Sequence, residues 1–133
     1  MFDQLWTAVG FIRWPLAFSL LVVVLLAAWS AARLFRAGAR PDLQTRTWMD
    51  GILFWGGFAV ISGVLGTLVG VVNAAHAIEA AGEVSAPVVW GGMRVALLSS
   101  VVGMLILSFA ALMWFGLQIR WRLLESKELS PSP

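Results

Sequence analysis

Three stretches of this chain are too apolar and too long to be folded away inside a protein of 133 residues. Trp14 to Leu34 carries only Ser19, Ser30 and Arg33 as strongly polar residues. Gly51 to Ala75 and Val95 to Leu117 contain no Asp, Glu, Lys, Arg or His at all. About 20 helical residues, at roughly 1.5 Å each, cross the ~30 Å of bilayer hydrocarbon. Each stretch is therefore expected to be a transmembrane helix, and the fold class to be an all-α integral membrane protein of three spans. Composition agrees: 60% of the residues are hydrophobic and 12% charged, more than the interior of so small a soluble domain can hold. Eight tryptophans with no tyrosine fit indole at membrane interfaces. The chain has no cysteine and one histidine, which leaves no thiolate or self-contained histidine metal site, and the dispersed basic residues form no nucleic-acid patch. No cofactor, no metal and no enzymatic nucleophile–base pair is expected.

The punctuation of the chain gives the boundaries. Residues 1–13 have Phe2, Leu5, Trp6, Val9 and Ile12 at helical spacing, an interfacial segment or a fraying helix end. The first span covers 14–36, with Pro15 in its first turn, where a missing N–H is tolerated. Leu20–Ala28 resembles the apolar core of a signal peptide, but Asp3 precedes it and Arg33 and Arg36 follow as a stop-transfer pair, so an uncleaved span is expected. Residues 37–50 form a short linker broken by Gly38 and Pro41, with Asp42 or Thr47 as a cap and Asp50 in the first turn of the next helix. The second span covers 51–75. A hairpin follows over 76–87, its helix running on to about Ala81, Gly82 stopping it and Ser85 capping the next. The third span and its extension cover 88–122, and the polar, proline-bearing residues 123–133 are expected to be disordered. Arg33, Arg36, Arg40, Arg46, Arg120, Arg122 and Lys127 lie on one side against Arg13 and Arg94 on the other. The positive-inside rule then places the N-terminus outside and the linker and C-terminus in the cytoplasm. An odd number of spans does not divide into inverted repeats, which argues against a transporter of that design.

Small residues and hydroxyls sit in the middle of the second and third spans. Gly63-Val-Leu-Gly66-Thr67-Leu-Val-Gly70 lies in one, and Ala96-Leu-Leu-Ser99-Ser100-Val-Val-Gly103 in the other. In lipid, glycine at four-residue spacing marks close helix–helix approach, so Gly63, Gly66, Gly70 and Gly103 are expected packing positions. Thr67 is about 13 Å from His76 and Ser100 about 9 Å from Arg94 along their helices. In antiparallel spans both hydroxyls, with Ser99 beside them, fall in the outer half of the membrane. They either line a path or simply bond back to a carbonyl one turn earlier. Asn73 either bonds across a helix interface or lines the same path. His76, Glu79 and Glu83 form a proton-collecting mouth or an ordinary solvated hairpin, and Trp90 with Arg94 reads as an interface anchor. Gln118, five turns from Ser100, meets the end of a pathway or is solvated at the helix end. Because a membrane proton relay normally needs an ionisable residue, this chain alone carries at most half of one.

The two stretches resemble linked signatures of a known family. Gly63-Val-Leu-Gly66-Thr67-Leu-Val-Gly70-Val looks like the "GLLGTVxGI" signature of the MotA/TolQ/ExbB proton channel family. Gly92-Met-Arg-Val-Ala96-Leu-Leu-Ser-Ser100-Val-Val-Gly103-Met looks like its "GIxxALxTTAxGL" signature. The separation between them fits ExbB-type members, and the likeness covers roughly residues 50–122. It implies a homo-oligomer, a pentameric ring in the bacterial inner membrane, around two copies of a single-span ExbD/TolR/MotB-like partner. That partner's transmembrane aspartate would take the proton, with Thr67 and Ser100 as the nearby pore-facing hydroxyls and Ser100 standing for the usual threonine. Ion flow would then drive rotation and work in the periplasm, protein transport among its uses. Two departures stand out: Val95 occupies the position of the glutamate that precedes Ala-Leu in ExbB-type members, and the 37–50 linker replaces a sizeable cytoplasmic domain. The expected function is thus a proton-channel stator subunit. The alternative is a non-conducting scaffold that homo-oligomerises through glycine-rich helices.

Overall fold

The computed structural model describes residues 13–36, 38–82 and 85–130. Three helices account for nearly all of them: α1 (Arg13–Leu34), α2 (Leu43–Ala81) and α3 (Ala86–Leu129). All three are long and apolar enough to cross a membrane. At about 1.5 Å per residue the 39 residues of α2 and 44 of α3 run to roughly 58 and 66 Å, well beyond the hydrocarbon thickness. Glycines in the left-handed region, Gly38 (φ 79°) and Gly82 (φ 72°), turn the chain after α1 and α2, a conformation that side chains with a Cβ disfavour. The expected interfacial segment lies outside the described residues apart from Arg13, which opens α1.

Two boundaries differ from those read in the sequence. Residues 43–50, expected in the linker, are the first two turns of α2. Nothing after Pro41 in Leu43–Asp50 breaks a helix, and Thr45 and Met49 are buried against the rest of the bundle, so packing starts the helix early. Asp42 holds the N-cap position without a side-chain capping bond. Thr47 instead donates to the Leu43 carbonyl from within the helix, at 3.1 Å. At the other end, α3 runs through residues 123–129, which composition assigns to a disordered tail. Leu124 packs against the core, and the first proline after it is Pro131. Residues 131–133 lie outside the described residues.

The core is a narrow seam. On α2 the buried positions include Thr45, Met49, Ile52, Gly56, Ala59, Gly63 and Gly66; on α3 they include Ala96, Ser99, Gly103, Ile106, Ala110 and Leu117. The spacings alternate between three and four residues, the seven-residue repeat of helices crossing at a shallow angle of about 20°. α1 adds Leu16, Ser19, Val23, Ala27, Ser30 and Leu34. Phe18 meets Trp55 edge-on, ring centroids 5.4 Å apart, and ties α1 to α2. Outside the seam Phe54, Ile61, Leu65, Leu105 and Leu112 are each more than half exposed, an arrangement that suits lipid and not water.

At the linker end the Trp114 indole N–H donates to Asp50 Oδ1 across α2 and α3, at 3.3 Å. Arg46 lies over the Trp121 ring at 5.3 Å and Arg120 over Phe35 at 5.3 Å. Removing the exposed indole–carboxylate bond with Asp50→Ala is expected to lower stability by only about 0.5–1 kcal/mol, read as a small fall in the unfolding temperature of the chain in detergent.

Candidate functional site

Where α2 and α3 come closest, glycine is required by space. A methyl carbon added at Gly63 would stand 2.5 Å from the Ser99 carbonyl oxygen and 3.2 Å from Ser100 Cα. One added at Gly103 would stand 2.6 Å from the Ala59 carbonyl oxygen, and one at Gly70 would stand 2.8 Å from Ala96 Cβ. The two backbones are therefore in direct contact. The repeat behind this contact is small residues at every seventh position, Gly56, Gly63 and Gly70 on α2 and Ala96, Gly103 and Ala110 on α3. Gly56 meets Ala110 and Gly70 meets Ala96, while between them Gly63 meets Ser99 and Gly103 meets Ala59. The four-residue spacing of Gly66 and Gly70 is part of the same seam: Gly66 is buried and Gly70 meets Ala96. Seven-residue spacing of small side chains was the sequence signal for the register, and it is easily hidden by the more familiar four-residue one.

Close approach brings three hydroxyls together. Thr67 Oγ1 is 2.7 Å from Ser100 Oγ and 3.3 Å from Ser99 Oγ, and is within donating distance of the Ala96 carbonyl at 2.9 Å. Ser99, buried, is within donating distance of both the Gly63 carbonyl (2.9 Å) and the Ala96 carbonyl (2.8 Å). Ser100 lies 3.3 Å from the Gly63 carbonyl, and so does Thr67. Each hydroxyl has one proton to give, and two arrangements satisfy all three. In one, Ser100 donates to Thr67, Thr67 to the Ala96 carbonyl and Ser99 to the Gly63 carbonyl. In the other, Thr67 donates to Ser100, Ser100 to the Gly63 carbonyl and Ser99 to the Ala96 carbonyl. The cluster is a short hydrogen-bonded chain whose direction can reverse without moving a heavy atom.

The cluster has a closed side and an open side. Ser99 is in the seam, while Thr67 and Ser100 are half-buried. The contacts of α1 on α2, Leu26 against Gly51 and Phe18 against Trp55, lie about 120–160° around the helix from Thr67, at 100° per residue. The open edge formed by Thr67 and Ser100 thus points away from those α1 contacts. Ser99→Ala is expected to cost about 1 kcal/mol of stability, since it removes a buried hydroxyl whose acceptors keep Thr67 and Ser100 as donors.

Other residues singled out in the sequence are not brought to this site. Asn73 is exposed and makes no hydrogen bond within the chain among the described residues; at 100° per residue it lies about 120° around α2 from Thr67. His76 Nδ1 stands 3.6 Å from Glu79 Oε2, both largely exposed, an ordinary surface pair of small energetic weight; Glu83 lies outside the described residues. Arg94 is exposed and Val95 half-buried next to Ala96. Gln118 is at the far end of α3, in a groove with Arg46 and Arg122. Among the described residues no three His, Cys, Asp or Glu side chains gather as a metal site.

The model of the MotA/TolQ/ExbB proton channel family matches residues 34–127 of the chain. That interval is wider than the 50–122 framed by the two signatures; it takes in the end of α1, the linker, α2 and nearly all of α3. Neither the curated proteins nor the solved structures give a match.

Proposed function

Since the chain belongs to the MotA/TolQ/ExbB proton channel family, we propose that it is the wall-forming subunit of a proton-driven membrane motor. In this reading it assembles as a homo-oligomeric ring, a pentamer, in the inner membrane with its N-terminus outside. The ring surrounds the transmembrane helices of an ExbD/TolR/MotB-like partner. The observation that carries the reading is the half-open Thr67–Ser100 hydroxyl pair at the contact of two helices that have no ionisable residue through Gly51–Ala75 and Val95–Leu117. A carboxyl group from a partner helix would meet donors and acceptors that are uncharged and can reverse their polarity. The pair can then bond it in its protonated and its ionised form. Ser99, donating to either the Gly63 or the Ala96 carbonyl, holds the pair in register, and Val95 leaves the partner's aspartate as the carboxyl of the pathway.

One observation favours a non-conducting scaffold as the second reading: the three hydroxyls are already satisfied by one another and by the Gly63 and Ala96 carbonyls. Proton flux into liposomes separates the two. Vesicles containing the chain and a single-span partner with a transmembrane aspartate are expected to acidify under an imposed potential, and vesicles with either protein alone are not. Equal flux with and without the partner, or none in either, defeats the motor reading. Native mass spectrometry of the purified chain is expected to give a ring, and a monomer or dimer counts against it.

A further inference from the structure

The linker end of the α2–α3 pair carries a groove that the hydroxyl site does not use. Arg46 on α2 and Gln118, Trp121, Arg122 and Glu125 on α3 line it. The basic residues here are unpaired: among the described residues the one ion pair is His76–Glu79, near the far end of α2. Arg46 stacks over the Trp121 ring, its guanidinium carbon 5.3 Å from the centroid. Stacking of this kind fixes the guanidinium plane while leaving its N–H edge free to donate. Trp121 itself has a buried indole N–H with no acceptor, an uncommon debt for a native structure to carry. Two guanidinium groups and an amide thus line one groove, with Glu125 as the single carboxylate among the lining residues.

We propose that this groove binds a phosphate group, held by Arg46 and Arg122 with Gln118 as a neutral donor. Guanidinium pairs take phosphate oxygens two at a time, which is why arginine, and not lysine, is the residue suited to such a place. The groove lies about two turns past Trp114 along α3, and Trp48 on α2 is partly exposed near it in sequence. Tryptophan at that level is the mark of a headgroup layer, so the phosphodiester of an anionic phospholipid is one source of the group; a soluble phosphate is the other.

Native mass spectrometry of the detergent-purified chain after exposure to phosphatidylglycerol or phosphatidylcholine tests the lipid arm. Thermal unfolding with and without inorganic phosphate tests the soluble one. Preferential retention of phosphatidylglycerol is expected, reduced about tenfold or more in Arg46→Gln/Arg122→Gln. The exposed Arg36→Gln, outside the groove, is expected to retain it fully. Stabilisation of the parent chain by phosphate, lost in the double variant, with no preference between the lipids, assigns the same chemistry to a soluble ligand. Equal loss in Arg36→Gln reduces the effect to general surface charge and overturns the site, as does the absence of both lipid preference and phosphate stabilisation. Circular dichroism checks that the double variant is helical; if it is not, the single Arg122→Gln, at an exposed position, takes its place with an expected severalfold loss.

Discussion

Gly63→Ala is expected to destabilise the chain by about 1–3 kcal/mol, the usual range for forcing one carbon into a filled contact. The new methyl would stand 2.5 Å from the Ser99 carbonyl oxygen, and that oxygen belongs to the backbone of α3, so no side-chain rotation relieves the overlap. The helices must separate by the better part of an ångström over the turn that also holds Thr67, Ser99 and Ser100. Gly103→Ala should behave similarly, because the Ala59 carbonyl oxygen lies 2.6 Å from its added carbon. Gly57→Ala and Gly116→Ala are the controls: nothing lies within 4 Å of either added carbon, and replacing glycine in a helix by alanine is neutral or mildly favourable. Denaturant or thermal unfolding in detergent reads all four. Equal loss at Gly57 and Gly63 would mean that close approach of α2 and α3 is not what stabilises the pair.

Thr67→Val is expected to cut partner-dependent proton flux about tenfold or more while changing stability little. Valine keeps the shape of threonine and removes the one oxygen that links Ser100 to the Ala96 carbonyl. A tenfold fall corresponds to about 1.4 kcal/mol, the scale of a single hydrogen bond. Ser100 still has the Gly63 carbonyl at 3.3 Å, so its proton is not stranded and the fold survives. Thr67→Ser restores the oxygen and is expected to recover most of the flux. Ser100→Ala tests the other partner of the 2.7 Å contact. Unchanged flux in Thr67→Val and Ser100→Ala, measured in the same vesicles, would remove the hydroxyl pair from the pathway and leave it as a clasp between helices.

The helical character was legible because apolar length alone specifies it: nothing but a helix satisfies its own backbone in hydrocarbon. The starts and ends were less legible. Leu43 opens α2 eight residues before the apolar run does, and α3 continues to Leu129 past the last strongly apolar stretch. In both places polar residues are held helical by burying one side of the helix, through Thr45 and Met49 at one end and Leu124 at the other, and composition averages over sides. Within the site, Gly63 and the hydroxyls could be picked out by type. Their partners could not, since two helices of small residues can slide by a turn and still look well matched in sequence.

What the sequence determined by itself is the number of membrane-length helices, the want of any charge in the middle of α2 and α3, and the family to which the chain belongs. These follow from local composition and spacing, which no neighbour can alter. The tertiary structure decided the register. It set Gly63 on the Ser99 carbonyl and Gly103 on that of Ala59, which joined Thr67 to Ser100 and turned Asn73 to another side of α2. Contact between backbones is a matter of tenths of an ångström summed along a whole seam, and only the packed pair fixes it.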